Sequence, residues 1–300
     1  MPVAAAAKTP ALFRDKPGAG GLSCRMSKLP PFLNRLLLPI RRPFFFSLPL
    51  AIAAAALAQN SAELPVNPMA EMQRAYREGD FDRLLKLTEK LEEDSPLLAY
   101  RAAALHQRGE RHFFEGRIAE SIDDFDASLK LQPDREPYDW QRGISYYYAG
   151  EFENGKKQFE IHQTVNPQDV ENAVFHFICT VRAPGGSVES AREHFIQIEG
   201  DPRVPMREIW SFYAGKGSAE AVIDAANAGN PPEDERLNRL CYAHLYLGLY
   251  YDSTGDAEKA AEHIRLAAGK YRQDHYMGKV ATVHAKLRGL TDAPKSNTQR

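Results

Sequence analysis

One pattern is written twice between residues 102 and 169, and its spacing limits the folds open to this chain more than any other feature. Gly109, Gly116, Phe125 and Pro133 recur 34 residues later as Gly143, Gly150, Phe159 and Pro167, and Gln107-Arg108-Gly109 recurs as Gln141-Arg142-Gly143. Self-similarity at a fixed period of this size marks a repeat array, in which each unit buries its apolar face by stacking on its neighbours. Function in such a chain is sought on surfaces rather than in catalytic motifs.

In the unit from Ala102, Leu105, Gly109 and His112 fall at one-turn spacing on a first helix, Gly116 permits a turn, and Ile122, Phe125 and Leu129 line a second helix. The first glycine lets the two helices approach, and Pro133 cannot continue the helix it follows. Ser121-Ile122-Asp123-Asp124-Phe125-Asp126, running on to Leu131-Gln132-Pro133, resembles the tetratricopeptide repeat subtype common in bacterial proteins, which favours Arg-Gly in the first helix and Asp-Phe in the second. The resemblance implies an all-α fold: a right-handed superhelical array of helix-turn-helix repeats, an α-solenoid. Its motifs speak to fold and are nearly silent on ligand.

The repeat-like domain is expected over 69–290, with its clearest repeats at 102–135, 136–169 and 241–274. The second matches at Gly143, Tyr146, Gly150, Phe152, Phe159 and Pro167 and departs at Gly155 and His162, the latter expected to lean outward. In the third, Gly248, Tyr251, Gly255, Ala260, Ile264 and Ala267 restore the pattern after Cys241. Residues 65–98 read as a degenerate first unit. Further on, a helix over 170–182 is followed by a returning helix over 188–198. The frame is then lost, although 206–213 and 218–228 still read as a helix pair, and 276–287 can supply a closing helix. Residues 291–300 form a polar, disordered tail.

The formal charge of −2 conceals two unlike parts. Residues 1–58 hold eight basic side chains against one acid, Asp15; taking these from the totals of 38 and 40 leaves 30 basic and 39 acidic, a balance of −9 for the rest. An acidic body argues against nucleic acid, whose phosphates need a basic face. Within the basic part, Arg41-Arg42 precede an apolar stretch from Phe44 that ends in Ala56-Leu57-Ala58, the layout of a secretory signal peptide cut after Ala58. The apolar centre, about a dozen residues, is short of the roughly 20 that span a bilayer, so the mature chain is expected without membrane insertion. Residues 59–68 form a linker.

Export to the periplasm or beyond is the expectation. The alternative is a thylakoid lumen reached by a transit peptide and a signal resembling the twin-arginine type. Met26 offers a second possible start. Cys179 and Cys241 both lie in apolar helical text, and the sequence alone does not pair them.

By register, the concave face carries His106, Glu110, Phe113 and Phe114, then Trp140, Ile144, Tyr147 and Tyr148, then Leu245 and Leu249. Such an aromatic trough suits an apolar helix or extended segment of a protein or peptide partner. Two other occupants satisfy the same surface: the chain's own closing helix, and a second copy in a homodimer. Repeats that clamp acidic chaperone tails use Lys and Asn here, and this chain offers Glu110, Trp140 and Ile144 instead. The sequence shows no nucleophile elbow, phosphate-cradling glycine loop or zinc-protease histidine pair. No cofactor is expected. His176 and Cys179 fall three apart on one helix, too little for a metal site by themselves. The expectation is therefore a non-catalytic scaffold or adaptor; the alternatives are a self-associating structural protein, or a metal-binding or enzymatic site within 170–230.

Overall fold

The computed structural model describes residues 67–291, and every regular element among them is helical. The expected signal peptide, nearly all of the linker and all but one residue of the polar tail lie outside the described residues. The helices run α1 (Pro68–Glu78), α2 (Phe81–Leu87), α3 (Leu98–Glu115), α4 (Ile118–Leu131), α5 (Trp140–Ala149), α6 (Phe152–Gln163) and α7 (Val170–Arg182). They continue through α8 (Val188–Glu193), α9 (Met206–Tyr213), α10 (Ala219–Asn227), α11 (Glu233–Thr254), α12 (Ala257–Ala268) and α13 (Tyr276–Leu287), with a 3-10 turn, Pro133–Tyr138, between α4 and α5.

Three pairs, α3/α4, α5/α6 and α11/α12, are built on one contact. A side-chain carbon placed on Gly109 would lie 3.1 Å from Phe125 Cε1, on Gly143 2.8 Å from Phe159 Cζ, and on Gly248 2.6 Å from Ile264 Cδ1. Each glycine faces an apolar knob 16 residues later, so the missing Cβ is what lets the pair close. Each first helix then ends at a left-handed glycine, Gly116, Gly150 and Gly255, with φ of 80°, 79° and 90°. The preceding arginines follow the same geometry. Arg108 forks onto Asp124 with two bonds of 2.7 Å, while its counterpart Arg142 meets Gln158 at 3.1 Å and turns its charge to Asp126 at 2.7 Å.

Most consecutive helices pack on one another, and α7 sits at the centre, touching α5, α6, α8, α9 and α11. Its sequence explains this: Val170 and the run from Asn172 to Thr180 are all buried, and a helix apolar on nearly every side must be enclosed. At the far end, α13 packs on α11 and α12 and also reaches back to α3.

Some elements differ from the sequence expectation. The helix expected over 188–198 stops at Glu193. Beyond it, Phe195 stacks on Trp210 at 5.6 Å and meets Phe177 edge-on at 5.5 Å, while the Trp210 indole donates to the Ile196 carbonyl at 2.9 Å. The apolar residues are thus used in an irregular segment wedged between helices. Helix α11 begins at Glu233, eight residues before Cys241, because Pro231 and Pro232 set its start and three acids occupy its first turn. His162 does not lean outward: it is 6% exposed, and its Nδ1 donates to the Pro137 carbonyl at 2.8 Å, satisfying a group that the 3-10 turn leaves free. Cys179 and Cys241 are buried free thiols.

Candidate functional site

The rows expected to line an open trough form an internal interface instead. Phe113, Ile144, Tyr147, Leu245 and Leu249 are each 2% exposed or less, and His106, Glu110, Phe114, Trp140 and Tyr148 are partly buried. What covers the aromatic part is α13. The Tyr276 ring lies 4.7 Å from Trp140 and 4.9 Å from Phe114, both edge-on, and parallel to Phe113 at 6.3 Å. Phe113 in turn packs on Tyr148 at 5.5 Å, and Tyr148 on Tyr147 at 5.2 Å. Leu245 and Leu249 join the same core from α11 but make no part of an accessible surface. The physical reason is area: rings of this size left bare would expose a large apolar patch, and a tethered helix with a complementary stripe removes it from water.

Two polar layers bracket the rings. At one end, His106 and Glu110 project from α3, while Asp139, the residue before α5, turns its carboxylate toward His106 instead of capping its own helix. Asp139 Oδ1 lies 3.3 Å from His106 Nε2, Glu110 Oε1 3.9 Å from His106 Nδ1, and Gln141 Nε2 donates to Glu110 Oε1 at 3.0 Å. Burial pulls the His106 pKa down, but Asp139 and Glu110 outweigh it and the net shift is upward. Burial raises the Glu110 carboxyl against the pull of His106. The acidic neighbours thus favour the protonated ring of His106 more than water does.

At the other end, Asp252 of α11 gathers three helices. Arg288 grips it through Nε and Nη2 at 3.0 and 2.9 Å, and the Tyr147 hydroxyl donates to it at 3.1 Å. Burial would raise the Asp252 carboxyl, yet Arg288 and its other partners hold it below the ordinary carboxylate value. Beside it, the Tyr148 hydroxyl and His284 Nδ1 are 3.0 Å apart. With Tyr148 donating, the His284 proton sits on Nε2, which faces Asp252 Oδ2 at 3.9 Å. Burial pushes His284 down to about 4, so the ring is neutral.

The remaining candidates face different ways. His176 Nε2 is 3.4 Å from Glu160, whereas the Cys179 sulfur lies where a side chain on Gly155 would be, 2.8 Å from that carbon. Among the described residues no group of three His, Cys, Asp or Glu side chains is placed to hold a metal ion, and no helix is long and apolar enough to cross a membrane.

The sequence points to ten residues for the trough, of which Phe113, Phe114, Trp140 and Tyr148 meet side chains of α13, and it does not point to the residues that join them: Asp139, Asp252, Tyr276, His284 and Arg288. Tyr276, Val280, Val283 and Leu287 fall at helical spacing, which marks a stripe in search of a surface. Nothing in the text pairs that stripe with Trp140 or joins Arg288 to Asp252. No family model matches this chain.

Proposed function

We propose that this protein is an exported, non-catalytic scaffold of the tetratricopeptide type, a right-handed superhelical array whose concave groove holds a helical segment of another protein. The 34-residue period and the glycine contact shared by three helix pairs support the repeat assignment. The observation that carries the function is α13 itself. An amphipathic helix, aromatic at its first residue, lies on Phe113, Phe114 and Trp140, so the surface is complementary to a helix in shape and chemistry. The polar side chains around it bond to one another, Glu110 to Gln141, Asp252 to Arg288 and Tyr148 to His284, which makes them bridges between helices.

The test is capture of a protein from an envelope extract by residues 59–300, native against a Phe114→Ala, Trp140→Ala double variant with unchanged helix content by circular dichroism. Stoichiometric capture by the native chain and its loss in the variant is the expected result. Equal capture by both would move binding to another face and remove the groove from the proposal.

A further inference from the structure

Nine buried side-chain nitrogen or oxygen atoms among the described residues have no hydrogen-bond partner in the protein, and three of them, His275 Nε2, Tyr276 Oη and His284 Nε2, belong to α13 or its cap. Gln141 Oε1, next to Trp140 on which Tyr276 rests, is a fourth, while Asp139 Oδ1 is engaged by His106 at 3.3 Å and His284 Nε2 faces Asp252 at 3.9 Å. Where α11 meets α7 and α9, by contrast, the tyrosines are satisfied: Tyr246 donates to Glu171 at 2.6 Å and Tyr213 to the Tyr246 carbonyl at 2.7 Å. Helix α13 therefore matches its groove in apolar contact but leaves Tyr276 Oη and His275 Nε2 without partners, which lowers what its docking contributes.

The helix is also self-contained. His275 supplies its N-cap, the ring accepting from the Gly278 backbone N–H at 3.2 Å, and a single connection over residues 269–274 ties it to α12. Its last turn is held by charge. Lys286 Nζ donates to the Glu115 carbonyl at 2.6 Å, at the negative end of α3, and Arg288 takes Asp252.

We propose that α13 is a resident, exchangeable ligand of the groove. The partner it gives way to is a helix of the same make: an aromatic residue in the first turn, apolar residues four and seven positions later, as Val280 and Val283 follow Tyr276, and basic residues at the C-terminal end. This inference rests on the scaffold reading and adds the class of partner and the device that regulates access.

The probe is a labelled peptide of residues 274–290, added to residues 59–300 and to the same chain carrying Tyr276→Ala, with binding read by fluorescence anisotropy. Weakening the resident raises the fraction of open grooves, so the variant should bind roughly tenfold tighter than the native chain. Hydrogen exchange on the native chain is the companion measurement, because it needs no variant to fold. The amides of α13 should exchange well before those of α7 and α11. Equal affinity of the two chains for the peptide, or α13 amides exchanging only together with α7, would overturn the proposal. Capture of a protein partner by a chain whose α13 never opens would leave the scaffold reading standing and remove this one. Exchange of α13 with no partner captured would show that the helix opens but would remove the scaffold reading and, with it, the class of partner proposed here.

Discussion

A glycine can be required by its neighbours or by its own backbone, and this chain uses both kinds. At Gly248 the constraint is space: an alanine carbon would meet Ile264 Cδ1 at 2.6 Å, and overpacking of this kind costs about 1–3 kcal/mol. At Gly150 nothing lies within 4 Å, and the constraint is a φ of 79°, which costs an L-residue about 1–2 kcal/mol. Both Gly248→Ala and Gly150→Ala should lower the urea midpoint without changing the slope. Adding Ile264→Val should restore part of the first loss and none of the second, which separates the two causes. Histidine sets the acid limit. Buried His284 is held down to about 4 against an ordinary value near 6.5, so between those pH values the unfolded chain binds the extra proton and stability falls as pH falls. A shift of that size is on the order of 3 kcal/mol. His244, down to about 4 through burial and its neighbour His263, whose Nδ1 lies 2.8 Å from its own, pulls the same way. Stability measured from pH 7 to pH 4 should therefore drop, and less steeply in His284→Gln.

Among the elements, the irregular segment after α8 depends most on one side chain. Arg203 holds Asp169 at 2.7 Å and Asp201 at 2.6 Å and also pairs with Glu171, whose carboxyl burial pushes up to about 7. Without Arg203 three carboxylates would face each other at the start of α7. Allowing for its partial exposure, Arg203→Ala should cost about 1–3 kcal/mol and open residues 194–205 to proteolysis. Unchanged cleavage there would show that the aromatic wedge, Phe195 on Trp210, holds the segment alone. This is also where the sequence was least legible. The paired helices could be read because a glycine, an apolar knob and a terminating glycine recur at fixed offsets, and those offsets are themselves the packing geometry. The end of α8 could not, since Phe195, Ile196 and Ile198 satisfy a helical stripe and an irregular wedge equally well. His162 was misjudged for a related reason: its role depends on the Pro137 carbonyl, whose position follows from a turn that the repeat pattern does not specify.

Over the whole molecule, what could not be read was which surface meets which. Tyr148 and His284 are 136 residues apart, and Lys286 bonds to a carbonyl 171 residues before it. Local periodicity carries no information over such distances, so the sequence marked both a trough and a spare helix and left their union undecided. That union has an optical signature, because the chain's two tryptophans stand at different places: Trp140 under Tyr276, and Trp210 on Phe195. If α13 opens as a unit, Trp140 loses its aromatic neighbour before the array unfolds. In urea, the emission of a Trp210→Phe chain should then change at lower concentration than that of a Trp140→Phe chain. Arg288→Ala removes the clamp on Asp252 and should weaken α13 docking by about 1–2 kcal/mol, moving the Trp140 transition down and leaving the Trp210 transition in place. Coincident transitions in both chains would mean that α13 is as integral to the core as α7, since an element that opens only with the whole fold cannot yield its groove to a partner.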